Sequence, residues 1–278
     1  MMEFKGARGP VLMLDPRSVL DIGACVIGDI DLAPGRAIPD DGDPRIDHSL
    51  EGFLFTCGPD HIRHPEPIGG GMSGSYPLHG SLSSHPATIL SSRYEGGDAD
   101  CEAVIDVALA DGGTARLHRH WHIDGTTGTV SLSDRVTNTG TTGFPAMLMY
   151  HMNIGAWLLD DGVRLEGPML EGGGFSYAFG EKTGGIFCVP AEPGEDGWAE
   201  LRLGPIEALG GRKLQVRFRM DTLPFLQVWR NQSLPANVLG IEPVSHRWEG
   251  RAALAERGEL HVLPSGDSRE YGLSFAFV

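Results

Sequence analysis

The groups in this chain that could move a proton or hold an ion fall in four short segments. In AMLMYHMNIG, residues 146–155, period-two alternation puts Met147, Met149, His151 and Asn153 on one face of a strand and Leu148, Tyr150, Met152 and Ile154 on the other. Both faces are largely apolar, so the strand is central, and His151 and Asn153 are desolvated polar groups that need partners. In NVLGIEPVSHRW, residues 237–248, Glu242 follows Leu239, Gly240 and Ile241 and is stopped by Pro243. Gly240 shares its face and leaves an open patch where a ligand can approach the backbone. Burial there favours the neutral carboxyl and raises its pKa toward the range of a useful base. A buried histidine is also a common structural residue, and a glutamate at a strand end is commonly exposed, so neither segment alone defines a site.

The densest histidine group is RLHRHWHID, residues 116–124. On a strand His118, His120 and His122 share one face and Leu117, Arg119, Trp121 and Ile123 the other. Neutral imidazoles on one face are the material of a metal site, yet same-face neighbours lie ~6.6 Å apart at a rise of ~3.3 Å per residue, so at most two reach one ion. A solvated polar face or a cleft wall is the expectation. The fourth region, GPDHIRHPEP at 58–67 with SYPLHGSLSSHPA at 75–87, reads as exposed loops carrying His61, His64, His79 and His85, the places where binding residues concentrate.

The elements that must position these groups are strands. Runs such as VSLSDRVTN (130–138), KLQVRFRM (213–220), FLQVW (225–229) and YGLSFAFV (271–278) recur between Gly, Pro, Asp and Asn, which predicts an all-β, antiparallel sandwich or barrel. In the last run Tyr271, Leu273, Phe275 and Phe277 form one face, and ELHVL at 259–263 with the turn Pro264–Asp267 is expected to close a hairpin onto it. A helix is credible only over 249–257, ending at Gly258. Long acidic loops are expected over 31–48 and 190–198. No repeat divides the 278 residues, which are expected to form one domain.

Composition narrows the partners. A formal charge of −15, from 37 acidic and 22 basic residues, repels phosphate backbones and anionic lipid, so no nucleic-acid or membrane partner is expected. Cys25, Cys57, Cys101 and Cys188 are scattered without metal or disulfide spacing and read as free thiols. The apolar run near the start is too short for a signal peptide, and a cytoplasmic location is the expectation.

Taken in order, FTCGPDHI (55–62), PLHGSLSSHPA (77–87), SLSDRVTNTG (131–140), MLMYHMNIG (147–155), DTLPFLQVWRN (221–231) and NVLGIEPVSHRWEGRAALAERGEL (237–260) resemble the aldose 1-epimerase, or galactose mutarotase, superfamily, and most closely its bacterial aldose-1-epimerase-like branch. The resemblance implies a large antiparallel β-sandwich (a supersandwich) with a sugar cleft on a concave face. It implies Glu242 as general base on the anomeric hydroxyl and His151 as general acid on the ring oxygen. His79 would orient the substrate, and Asp60, Arg63 and Asn153 would be secondary sugar contacts. Opening a hemiacetal takes a base and an acid with pKa values near the working pH, set on opposite sides of the anomeric centre, and takes no metal or organic cofactor. The implied partner is a monosaccharide or sugar derivative, with room for a homodimer. The chain departs from the family pattern at Ser81, where close relatives carry arginine, and at His61, where they carry asparagine. Those departures keep open a non-catalytic carbohydrate-binding or sensing protein on the same fold, and the 118–122 histidines keep open a metal-dependent enzyme.

Overall fold

The computed structural model describes residues 1–35 and 52–278. Its twenty-two strands, numbered in chain order, form two nine-stranded sheets and two small ribbons, and every strand pair is antiparallel. The first sheet runs β1 (Met2–Phe4), β2 (Val11–Asp15), β3 (Asp21–Ile27), β5 (Leu54–Cys57), β13 (Met149–Gly155), β20 (Val238–Val244), β19 (Phe225–Asn231) and β16 (Gly184–Pro190), with β4 (Ile30–Asp31) on β3. The second runs β15 (Gly174–Ser176), β14 (Arg164–Glu166), β17 (Trp198–Ile206), β18 (Arg212–Arg219), β22 (Ser268–Phe277), β11 (Val130–Asn138), β10 (Thr114–Ile123), β9 (Asp98–Ala108) and β8 (Thr88–Glu95). The ribbons are β12 (Phe144–Pro145) with β21 (Val262–Leu263), and β6 (Pro67–Gly69) with β7 (Met72–Ser75).

Alternation in the second sheet is clean, because one side meets the core and the other meets water. In β11 the side chains of Val130, Leu132, Asp134, Val136 and Asn138 are buried, while Ser133 and Arg135 are exposed. The first sheet differs. Tyr150, Met152 and Ile154 of β13, Leu239 and Ile241 of β20, and Leu226 and Val228 of β19 join Leu117, Trp121, Leu132, Val216, Phe218 and Phe275 of the second sheet in the main core. The reverse face of the first sheet, carrying Phe55 and Cys57 of β5, Met149 of β13, and Val238 and Val244 of β20, packs on Ile62, Met147, Ala236 and Leu254 in a second, smaller core. Covered on both sides, β13 and β20 are buried at every residue. The central position read for the 146–155 segment is found. Its pairing starts later, at Met149, because Leu148 N–H donates to the Ser245 hydroxyl (2.9 Å) and Met147 N–H to the Pro59 carbonyl (2.8 Å).

Three expectations need correction. The strand at 262–263 does not pair with the terminal strand: β21 pairs with β12, and Asn138 holds the turn by donating from Nδ2 to the Leu263 carbonyl (2.9 Å) and accepting from Gly266 N–H at its own carbonyl (2.9 Å). Residues 58–63 are buried, because this loop caps the reverse face of the first sheet rather than lying over the surface. The helix is confined to Arg251–Glu256, where Glu66 accepts the Arg251 N–H (3.1 Å) at its start and Gly258 ends it. Residues 36–48 of the first acidic loop lie outside the described residues. The second loop is found between Pro190 and Trp198.

Arg119 lies on the apolar face of β10 and is fully buried, so its charge must be matched inside the sandwich. It donates to both oxygens of Asp134 (2.9 and 2.6 Å), to Asp21 Oδ1 (2.6 Å), to the Thr56 hydroxyl (2.8 Å) and to the Val19 carbonyl (2.8 Å). Tyr150 adds a hydrogen bond to Asp134 (2.9 Å). Burial works against the guanidinium charge, and Asp134 and Asp21 more than offset it. This network ties β10 and β11 to β3, β5 and β13, and it sits behind the strand that carries His151. Replacing the guanidinium in Arg119→Leu strands two buried carboxylates and is expected to cost ~3–5 kcal/mol in denaturant unfolding. A loss below about 1 kcal/mol would show that the network does not join the sheets.

Candidate active site

The register that pairs Met152 with Ile241 and Met149 with Val244 sets His151 opposite Glu242 on the reverse face of the first sheet. Their side chains touch: His151 Nε2 lies 3.2 Å from Glu242 Oε1, at 2% and 0% exposure of the residues. Gly240 is what lets them meet, since a Cβ there would sit 2.8 Å from Glu242 Oε1 and 2.9 Å from His151 Cε1. The open patch inferred beside Glu242 is therefore filled by the imidazole. The two groups stand side by side rather than across an anomeric centre, because adjacent strands carry them in direct cross-strand register.

A pocket of about 130 Å³ opens over the pair, lined by His64, Leu78, His79, His151, Ile186, Gln227, Trp229, Glu242 and Trp248. His79 arrives from the loop before β8 in a left-handed backbone conformation (φ 63°), sparsely populated by side-chain-bearing residues, and its ring meets His151 edge-on at 5.7 Å between centroids. That backbone is held by its N–H to the Arg63 carbonyl (2.8 Å) and its carbonyl to Gly58 N–H (2.9 Å). Trp229 also meets His151 edge-on, at 5.7 Å. Beside Glu242 on the next strand, Gln227 donates from Nε2 to Glu242 Oε2 and accepts at Oε1 from Arg63 Nη1 (2.5 Å).

The electrostatics follow from burial. Desolvation pushes His151 down to about 3, with Asn153 acting in the opposite direction. It pushes Glu242 up to about 7, against the hydrogen bond from Gln227 and the charge of Arg63. His79 is held well below the usual histidine value, first by burial and then by His151. At neutral pH His151 and His79 are thus neutral imidazoles beside a carboxyl near its midpoint. Buried polar atoms without a hydrogen bond gather here: His79 Nδ1, His151 Nδ1 and Glu242 Oε1. Such atoms are uncommon in a settled core, and these three make the pocket the candidate place for a ligand.

The other residues named from the sequence are placed differently. Asp60 does not line the pocket: it accepts from Ser81 N–H (3.0 Å), Ser81 Oγ (2.7 Å) and Ala110 N–H (2.9 Å). Arg63 lies behind Gln227, and Asn153 lies along β13 beyond His151, with Nδ2 directed to the Gly52 carbonyl (3.3 Å). Ser81 is spent on Asp60, and His61 stacks on Tyr76 (5.3 Å) with Nε2 2.6 Å from the His64 carbonyl. Both departures from the family pattern sit outside the pocket lining. His120 Nε2 and His122 Nδ1 converge on Asp100 Oδ1 (2.9 and 3.1 Å), and among the described residues no cluster of three or more His, Cys, Asp or Glu is arranged to hold a metal. Sequence reading did not single out Gln227, Trp229 or Trp248 as site residues; for Gln227 and Trp229 the signal was their period-two spacing in FLQVWRN, visible once Glu242 is set opposite Gln227, and Trp248, beyond the end of β20, carried no such signal.

Two nine-stranded antiparallel sheets, with a buried His–Glu pair on the reverse face of one, define a sandwich of the galactose mutarotase type. The chain belongs to the family described as "Domain of unknown function (DUF4432)", whose model matches residues 30–173 and 186–277. Among solved structures it is similar to a candidate aldose 1-epimerase from Klebsiella pneumoniae, with a TM-score of 0.77, 17% identity, and coverage of 97% of this chain and 77% of that one. It is also similar to a galactose mutarotase related enzyme from Lactobacillus acidophilus (TM-score 0.72, 10% identity, 100% and 97% covered). A third is galactose 1-epimerase from the same species (TM-score 0.65, 11% identity, 97% and 91% covered). These likenesses establish the fold. No curated protein matches the chain.

Raising a carboxyl from 4.5 to about 7 makes its ionisation costly to the folded state. The sign is set by the folded pKa lying above the unfolded one: stability is full below pH 4.5 and is lost as pH rises through 7. Glu242→Gln removes the ionisation. The variant is expected to be more stable than the parent by up to ~3 kcal/mol at pH 8, at ~1.4 kcal/mol per pKa unit, with the gain vanishing near pH 4.5. Thermal melts at both pH values check this, and an equal difference at both would refute it.

Proposed function

We propose that this protein interconverts the anomers of a monosaccharide or simple sugar derivative, with Glu242 and His151 as the acid/base pair. The observation that carries the reading is the contact between a carboxyl brought near neutral pKa and an imidazole, at the floor of a pocket walled by Trp229 and Trp248. The indole faces suit the C–H face of a pyranose, while the few polar groups suit its reacting end.

The two oxygens that exchange protons in a hemiacetal, O1 and the ring oxygen, are bonded to the same carbon. Groups standing side by side on neighbouring strands can therefore serve both at once. The carboxylate–imidazolium form of the pair is the one that opens the ring: Glu242 takes the O1 proton, the C1–ring-oxygen bond breaks, and His151 gives its proton to the departing oxygen. The carboxyl–imidazole form that results is the form burial favours, and it matches the open-chain aldehyde. After rotation about C1–C2, the hydroxyl returns its proton to His151 as the ring closes on either face of C1, and Glu242 returns a proton to O1. Proton count and charge are restored, and no other reactant enters.

Saturation-transfer NMR over a panel of free aldoses and sugar acids tests this. At least one sugar is expected to show enzyme-dependent exchange, and Glu242→Gln and His151→Ala are each expected to lower it by ~10²–10⁴-fold, the usual weight of acid/base catalysis. Sugar binding by calorimetry without exchange would favour a non-catalytic sugar-binding protein instead. Exchange untouched by both variants would move the chemistry elsewhere.

A further inference from the structure

We propose that Arg63 and Gln227 form a positioning relay that fixes Glu242 with Oε1 as its proton-transferring oxygen, and that Arg63 is not a sugar contact. The inference deepens the acid/base reading, and its catalytic consequence rests on that reading.

The argument begins with what each group can do. A guanidinium has donors only, so the Gln227 atom facing Arg63 Nη1 at 2.5 Å must be the carbonyl oxygen. The amide nitrogen is then forced toward Glu242, where it can only donate, and Oε2 takes that hydrogen bond. Oε1 is buried and left without a hydrogen bond, facing His151 Nε2 at 3.2 Å beside the pocket that both residues line. The carboxyl thus has one oxygen held and one oxygen free, and the free one is beside the acid partner.

Arg63 is itself anchored. Nη2 donates to the carbonyls of His246 (3.1 Å) and Arg247 (2.6 Å), which follow directly on β20, the strand of Glu242, and the guanidinium lies over Trp248 at 4.6 Å. It is 8% exposed and does not line the pocket, so its charge reaches the site only through Gln227 and through space. The other titratable groups facing Glu242 are His151 from β13, Cys57 from β5, Cys188 from β16, and His79 and His64 from the covering loops. Among these described neighbours Arg63 is the one that carries a fixed positive charge. Burial raises Glu242, and Gln227 and Arg63 are the two influences that restrain it. Without them the base would stay protonated at neutral pH.

The test is a titration that needs no turnover. With glutamate labelled at the δ-carboxyl carbon, the Glu242 resonance is assigned by its loss in Glu242→Gln and followed against pH in the ligand-free protein. The midpoint is expected near 7 in the parent. In Gln227→Met and in Arg63→Met it is expected to rise by about one unit, a tenfold fall in acidity. On any sugar that is turned over, the form that opens the ring carries one proton on the Glu242–His151 pair, so the alkaline limb of the kcat profile should move up by the same amount, with a lower plateau and KM little changed. An unmoved midpoint in Gln227→Met overturns the relay. A raised KM in Arg63→Met, with the midpoint unmoved, would make Arg63 a sugar contact after all. If Arg63→Met fails to fold, Gln227→Met, which keeps the side-chain volume, carries the decision with Arg63→Lys. A chain that turns over no aldose but shows the shifted midpoints defeats the isomerase reading and leaves the relay standing.

Discussion

Two neighbouring strands, β13 and β20, run in a register that leaves His151 and Glu242 abreast, and Gly240 removes the one side chain that would keep them apart. The rest of the molecule can be understood as what holds that register and keeps water away from it. A one-residue slip of either strand would turn one member of the pair into the main core. Slippage is opposed by apolar contacts on both faces of these strands, with Tyr150, Met152, Leu239 and Ile241 on one side and Met149, Val238 and Val244 on the other. Behind them, the Arg119 network joins β13 to the second sheet through Tyr150 and Asp134.

Burying this pair is costly. An imidazole pushed down to about 3 and a carboxyl pushed up to about 7 are both being denied the charge that water would support. Glu242 therefore holds its proton, and His151 gives one up, more readily than its free counterpart. The core elsewhere matches its buried charges closely: Arg119 meets two carboxylates, and Asp60 accepts three hydrogen bonds. In the pocket, Nδ1 of His79 and His151 and Oε1 of Glu242 have no hydrogen bond, three of the nine such buried side-chain atoms among the described residues.

The sheets were legible from alternation, since 130–138 and 225–229 lie where period-two patterning put them, and the short helix ends at the glycine that marks it. Glu242 and His151 were legible as polar groups on apolar strands. What escaped was information about pairing. Gln227 looks like an interruption of an apolar run until its cross-strand partner is known to be Glu242. Asp60 and Arg63 stand in a segment rich in Gly, Pro and His that reads as surface, yet the segment is folded down as a lid on the reverse face of the first sheet, so their side chains serve Ser81, Ala110, Gln227 and the β20 end. The closing hairpin failed for a related reason: Asn138, distant in sequence, holds the turn at 264–267 and leaves β21 to pair with β12.

The central claim is spatial, and a crystal structure of the protein soaked with an equilibrated sugar is the most direct measurement of it. The account requires a ring seated between the indoles of Trp229 and Trp248, with O1 within hydrogen-bond reach of Glu242 Oε1 and the ring oxygen within reach of His151 Nε2. A sugar bound in another hollow, or one in this pocket with its anomeric carbon turned toward solvent, would contradict it.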